Sequence, residues 1–203
     1  MKGLYAITDA GLTPGDEVPP AVAAALRGGA RVIQYRDKTT EAGDRRQRAA
    51  ALLDLCRAQG ALFIVNDDIE LAAEVGASGV HLGKTDPDLH AARKRLGSRA
   101  VIGLSCYNEL PRAQAAAEQG ADYVAFGRFF PSHSKPYAVA ASPDLLLHAR
   151  RILELPLVAI GGITPDNGGR LIAAGADMLA VIHGVFGQPD IEAAARRFAA
   201  LFS

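Results

Sequence analysis

Short apolar runs of strand length recur along the chain, at residues 3–7, 32–35, 62–65, 79–82, 101–104, 123–126, 157–160 and 178–182. Their apolar character is continuous rather than alternating. That suits strands covered on both faces, the condition of a parallel sheet with helices packed outside it. The intervening segments, such as residues 43–59, 110–119 and 191–201, are rich in Ala with Arg, Gln and Glu, which are helix formers. Five Gly-Ala dipeptides, at Gly29, Gly60, Gly76, Gly120 and Gly175, each follow a helical stretch and precede an apolar run. A glycine just past a helix end accepts the left-handed conformation that closes the helix and releases the chain into the next strand.

Eight β units with helices between them predict an α/β fold, a (β/α)8 TIM barrel, whose functional residues stand on the loops after the C-terminal strand ends. A doubly wound open sheet is the alternative that the pattern leaves standing. The length of 203 residues lies at the small end of the barrel range, so the expectation is one domain over 1–203. Charge adds an exclusion: 22 Lys and Arg balance 22 Asp and Glu, whereas proteins that coat nucleic acid or anionic membranes select a basic surface. No apolar run approaches the roughly 18 residues that span a bilayer, and the first residues lack the apolar stretch of a secretory signal. A cytoplasmic protein with no nucleic-acid or membrane partner is expected. Cys56 and Cys106 show no metal-ligand spacing, so no disulfide framework or zinc site is expected, and Cys106 reads as a small buried packing residue.

The polar residues just after each apolar run are where a barrel carries its chemistry. After the second run, Gln34, Arg36 and Lys38 alternate along an extended segment and so share one side. Two cations and an amide on one face form a cradle for a polyphosphate, unless the charges simply point to water. The third run ends in Asn66-Asp67-Asp68, and Asp86 follows the fourth. Carboxylates from neighbouring strand ends can share one Mg²⁺. Both also fit helix starts, Asp67 as a cap three residues before Glu70 and Asp86 before a Pro87 in the first turn.

Ser105 closes the fifth run, and the sixth leads to Ser132-His133-Ser134-Lys135, hydroxyl donors and a cation suited to an anion, or an ordinary polar loop. The seventh leads to Gly161-Gly162 and the eighth to Ile182-His183-Gly184. In phosphate-using barrels these two loops form a phosphate pocket, although Gly161-Gly162 also fits a plain tight turn. His81, inside an apolar run, reads as a hydrogen-bonded core histidine rather than a catalyst.

Together these strand-end motifs, with Tyr5-Ala6-Ile7-Thr8-Asp9 and Ala159-Ile160-Gly161-Gly162-Ile163, resemble the thiamine phosphate synthase family over nearly the whole chain. The resemblance implies a Mg²⁺-dependent transferase of thiamine biosynthesis. It joins a hydroxymethylpyrimidine diphosphate to a thiazole phosphate, or the carboxylated form of the latter, releasing pyrophosphate before the thiazole nitrogen attacks. By resemblance, Gln34, Arg36, Lys38, Asn66, Ser105 and Lys135 hold the pyrimidine diphosphate, with Arg36, Lys38, Lys135 and Ser105 as the catalytic set. Asp67 and Asp86 bind Mg²⁺, leaving Asp68 as the capping or surface acid. Ser132, Ser134, Gly162, Ile182 and His183 hold the thiazole phosphate. Two departures from the family pattern stand out: hydroxyls of Ser132 and Ser134 replace those of Thr, and His183 stands where Ser is common. Thiazole tautomerase and a non-catalytic barrel binding a phosphorylated metabolite are the alternatives, and a homo-oligomer stays open.

Overall fold

The computed structural model describes residues 1–37, 41–84, 88–131 and 139–203. Its strands are β1 (Gly3–Ile7), β2 (Ala30–Tyr35), β3 (Leu62–Asn66), β4 (Gly79–Leu82), β5 (Val101–Tyr107), β6 (Tyr123–Phe126), β7 (Leu157–Ile160) and β8 (Met178–Val181). All neighbours pair in parallel, and β1 pairs with both β2 and β8, which closes the sheet into a barrel and removes the open-sheet alternative. The helices α1 (Val18–Arg27), α2 (Ala42–Ala58), α3 (Ile69–Val75), α4 (Leu89–Leu96), α5 (Leu110–Glu118), α6 (Pro143–Ile152) and α7 (Pro165–Ala173) connect successive strands. A four-residue α8 (His183–Phe186) and α9 (Ile191–Ala199) follow β8. None of the helices among the described residues is long and apolar enough to cross a membrane.

The Gly-Ala dipeptides act as expected. Gly29, Gly60, Gly76, Gly120 and Gly175 all take positive φ. At four of them the following alanine N–H reaches back to a carbonyl five residues earlier, as from Ala61 to Cys56 (2.9 Å) and from Ala176 to Leu171 (3.0 Å), which seals the helix end.

Strand alternation divides the buried residues into two cores. Leu4, Ile33, Phe63, Val80, Ile102 and Phe126 face outward and pack under the helices, where each fully buried side chain stabilises the fold by about 2 kcal/mol. Tyr5, Val32, Ile64, Tyr123, Val158 and Met178 face inward and fill the barrel. The inner filling has a polar component that a run of apolar residues hides, because Tyr5 and Tyr123 carry hydroxyls into it. Cys56 and Cys106 are both free and fully buried, and burial pushes each thiol up to about 12.

Candidate active site

A cavity of about 350 Å³ opens at the C-terminal mouth of the barrel. Of the residues singled out from sequence, Gln34, Arg36, Asn66, Ser105, Gly162, Ile182 and His183 line it. Asp67 does not line it but stands beside it, next to Asn66 at the end of β3. Lys38, Asp86, Ser132, Ser134 and Lys135 lie outside the described residues.

The floor of the cavity is a hydrogen-bonded chain running from β2 to β5. Gln34 Nε2 donates to Tyr5 Oη (2.7 Å), and Tyr5 Oη meets Tyr123 Oη at 2.8 Å. Tyr123 Oη meets His81 Nδ1 at 3.0 Å, and His81 Nε2 meets Ser105 Oγ at 2.9 Å. The rings are fixed as well as the oxygens: Tyr5 stands edge-on to Tyr123, and His81 stacks against Tyr123 with centroids 5.6 Å apart. Room for the Tyr123 ring comes from Gly103 on the paired strand, where a Cβ would stand 1.9 Å from the ring. Burial raises the pKa of both phenols above its ordinary value, so each stays an O–H group. His81 is therefore both a hydrogen-bonded core residue, as expected, and a wall of the cavity.

On the same side, strand alternation turns Gln34 and Arg36 to the cavity while Tyr35 and Asp37 face α2. There the Asp37 carboxylate accepts from Tyr35 Oη (3.2 Å) and pairs with Arg48 (3.5 Å). Burial, followed by the Asp37 charge, pushes the Tyr35 phenol up to about 12. Arg36 is held from β1: its N–H donates to Thr8 Oγ1 (2.9 Å) and its guanidinium reaches Asp9 at 3.3 Å. Sequence reasoning had assigned no role to Thr8 or Asp9, although both follow the first apolar run. Arg112 of α5 braces the next stretch of rim, donating to the carbonyls of Ser105 (2.8 Å) and Gly83 (3.2 Å).

The acids after β3 divide their work differently from the capping alternative at Asp67. Asp68, not Asp67, is the N-cap of α3: it accepts from the Leu71 N–H (2.9 Å) and faces Arg45 at 3.6 Å. Asp67 takes a left-handed backbone conformation (φ 63°), and its N–H donates to the His81 carbonyl (2.9 Å), which ties the end of β3 to β4. Likewise α4 begins at Leu89 behind an Asp88 cap, so the expected helix start at Asp86-Pro87 is displaced by two residues. The fifth strand also runs past Ser105 to Tyr107 instead of closing there, with a shift of its register against β6 between Ser105 and Tyr107.

The opposite half of the rim, after β6, β7 and β8, is made largely of backbone. Gly127, Gly161, Gly162 and Gly184 line it. Gly162 combines φ 61° with a Pro131 carbonyl oxygen that would lie 2.2 Å from any Cβ, so this is more than a plain tight turn. The Phe130 N–H donates to the Gly161 carbonyl (3.0 Å), locking the two loops together. The His183 ring lies against Gly187, where a Cβ would come within 2.7 Å of it, while Gln188 donates to the His183 carbonyl (3.1 Å). Arg128, Thr164 and Gln188 also line the cavity and were not singled out from sequence; each carried a hint, as a polar residue shortly after the sixth, seventh or eighth run. Tyr123 carried no local signal at all, since its partner glycine lies on another strand.

Comparison with known proteins agrees with this geometry. Residues 4–185 match the family described as thiamine monophosphate synthase. The chain is 57% identical over its whole length to a thiamine-phosphate synthase of Acidithiobacillus ferrooxidans, covering 95% of that protein. It is 55% identical to the enzyme of that name from Alcanivorax borkumensis, again over its whole length and 94% of the relative. Among solved structures, a thiamine phosphate pyrophosphorylase from Pyrococcus furiosus superposes with a TM-score of 0.89 at 33% identity, over 98% of this chain and 95% of the other. A closed eight-strand barrel, a strand-end cavity and full-length likeness of this degree place the chain in the thiamine monophosphate synthase family.

Proposed function

We propose that this chain is a thiamine-phosphate synthase that condenses a hydroxymethylpyrimidine diphosphate with a thiazole phosphate, or its carboxylated form. The observation that carries the reading is a single cavity with two unlike walls, one of polar side chains from β2 to β5 and one from β6 to β8 in which Gly127, Gly161, Gly162 and Gly184 bring backbone to the surface. Two dissimilar substrates need two such walls. Gln34, Asn66 and Ser105 serve the pyrimidine, and Arg36 its diphosphate. Lys38 and Lys135 add cations to the diphosphate side. Gly162, Ile182 and His183, with Ser132 and Ser134, hold the thiazole phosphate, in the position where barrels of this kind bind phosphate.

The chemistry follows from the charges. The carbon–oxygen bond to the diphosphate breaks and its electron pair leaves with pyrophosphate; the thiazole nitrogen then gives its lone pair to the methylene carbon to form the carbon–nitrogen bond, and with the carboxylated form the ring carboxylate departs as carbon dioxide. Such a step needs stabilisation of negative charge on the leaving group more than it needs a base. Arg36 supplies it with a guanidinium that can bind oxygens in pairs. The intervening methylene cation has to be kept from water. Ile7, Val158, Ile160 and Ala180 furnish the apolar lining for that.

The residues fit Mg²⁺ in their donor chemistry. Asp67 offers hard carboxylate oxygens beside the cavity, and Asp86, a second carboxylate in the sequence after β4, lies outside the described residues. When bound, the ion would neutralise diphosphate charge. The test is an assay of purified protein with both substrates and Mg²⁺. Thiamine phosphate and pyrophosphate should form together and only when both substrates are present; no thiamine phosphate, or conversion of the thiazole phosphate alone, overturns the reading.

A further inference from the structure

The first apolar run ends in two polar residues that the proposed chemistry leaves without a task, Thr8 and Asp9. Thr8 is 1% exposed, so its hydroxyl has to find its partners within the protein. Both partners belong to Arg36. The hydroxyl accepts from the Arg36 N–H at 2.9 Å and donates toward the Arg36 carbonyl at 3.4 Å. The Thr8 N–H in turn donates to the Gln34 carbonyl (2.9 Å), which continues the ladder between β1 and β2 one residue past Ile7. A parallel ladder carried one rung further would send the Arg36 N–H to the Thr8 carbonyl. The Thr8 hydroxyl takes that place. The main chain of β1 can therefore turn away at Asp9 while Arg36, just beyond the end of β2 at Tyr35, stays held. The turn is determined as closely. The Asp9 carbonyl accepts from the N–H groups of Leu12 and Thr13 (3.0 Å each), and one Asp9 carboxylate oxygen accepts from the Gly11 N–H at 3.0 Å. The other carboxylate oxygen faces the Arg36 guanidinium at 3.3 Å. Arg36 is thus gripped twice, by Thr8 at its main chain and by Asp9 at its head.

We infer that Thr8 is a positioning residue for the diphosphate side of the reaction: its hydroxyl fixes the Arg36 main chain so that the guanidinium stands at the cavity before the anion arrives. The inference rests on the proposed role of Arg36 at the diphosphate. Arg36 lines the cavity, whereas Thr8 acts on a ligand only through it. A long side chain whose root is already fixed loses less freedom on binding, and the difference appears as affinity. Threonine suits this task because branching at Cβ narrows χ1 and keeps the hydroxyl turned to one place.

The experiment measures binding of inorganic pyrophosphate with Mg²⁺, and separately of the thiazole phosphate, to the purified protein by titration calorimetry. Thr8→Val keeps the branched shape but leaves the Arg36 N–H without its acceptor, so pyrophosphate affinity should fall roughly tenfold, the scale of one buried hydrogen bond. Thr8→Ser restores the hydroxyl and should bring the affinity back to within about threefold of the wild type. Affinity for the thiazole phosphate should stay the same in both variants. A folded Thr8→Val protein that binds pyrophosphate like the wild type overturns the inference. So does an equal loss for both ligands, which is what a merely structural residue would give. Where Thr8→Val does not fold, amide hydrogen exchange of the wild type decides it: the Arg36 N–H should be protected in the free protein and gain little when pyrophosphate is added. Protection that appears only with pyrophosphate overturns it. All of these readouts are of binding or exchange, so failure of the condensation assay with these results intact counts against the proposed function alone.

Discussion

The two halves of the cavity rim are built on different principles. From β2 to β5 the wall is made of side chains, each fixed by a named partner: Arg36 by Asp9, Ser105 by His81, Gln34 by Tyr5. From β6 to β8 backbone takes a larger share, brought close by Gly127, Gly161 and Gly162, where a Cβ would come within 2.3 Å of a neighbouring atom. Side-chain walls recognise chemistry that varies in pattern, such as the edge of a heterocycle. Backbone walls suit an anion, which needs only N–H groups and space. The halves should accordingly fail in different ways when altered.

The largest effect is expected on the backbone half. Gly162→Ala places a Cβ against the Pro131 carbonyl oxygen in a conformation L-residues rarely adopt, so the β7 loop has to move. A loss of about 3 kcal/mol in positioning corresponds to roughly 100-fold or more in kcat/KM. Steady-state kinetics should show the defect in the KM for the thiazole phosphate, with the pyrimidine diphosphate KM nearly unchanged. An equal rise in both would mean that the halves are not separate.

On the side-chain half the effects should be graded by contact. Arg36→Ala removes charge-assisted bonds worth about 3 kcal/mol to an anion, a loss of roughly 100-fold in kcat/KM seen through the pyrimidine diphosphate. Asp9→Asn leaves Arg36 in place but loosens it. The Asp9 and Arg36 side chains are 25% and 26% exposed, so their ion pair is worth less than about 1 kcal/mol and the loss should stay within roughly fivefold. An Asp9 effect as large as that of Arg36 would make Asp9 a direct participant.

Much of this architecture was legible as sequence. The eight apolar runs all became strands, and those of β1, β4, β6 and β7 kept their predicted bounds, because fully covered strands stay apolar from end to end. The same uniformity concealed which way each residue faces. Leu4 and Tyr5 read alike in an apolar run, yet one packs under a helix and the other holds a hydrogen-bonded chain inside the barrel. The bond between Tyr5 and Tyr123 spans 118 positions, and the glycine that admits the Tyr123 ring sits on a neighbouring strand, so no local signal announces either. Gln34 and Arg36 were legible for the opposite reason: they lie where apolarity stops, and simple alternation turns both toward the cavity.

The smallest effects should separate two adjacent acids that composition cannot tell apart. Asp68 accepts from the Leu71 N–H at the start of α3, so Asp68→Ala should cost about 1 kcal/mol of stability, read as a lower melting temperature, with the Mg²⁺ requirement of turnover unchanged. The N-cap of α3 is Asp68 and not Asp67. The left-handed backbone of Asp67 tolerates asparagine, so Asp67→Asn isolates the charge from the fold. Under the proposed function this variant should stay folded and need roughly tenfold more Mg²⁺ for half-maximal turnover, the cost of losing one of two carboxylates at the ion. A shifted Mg²⁺ curve in Asp68→Ala, or an unmoved one in Asp67→Asn, would reassign the pair. The contrast between recognition and scaffold would then have to be drawn within a single turn of chain rather than between the halves of the rim.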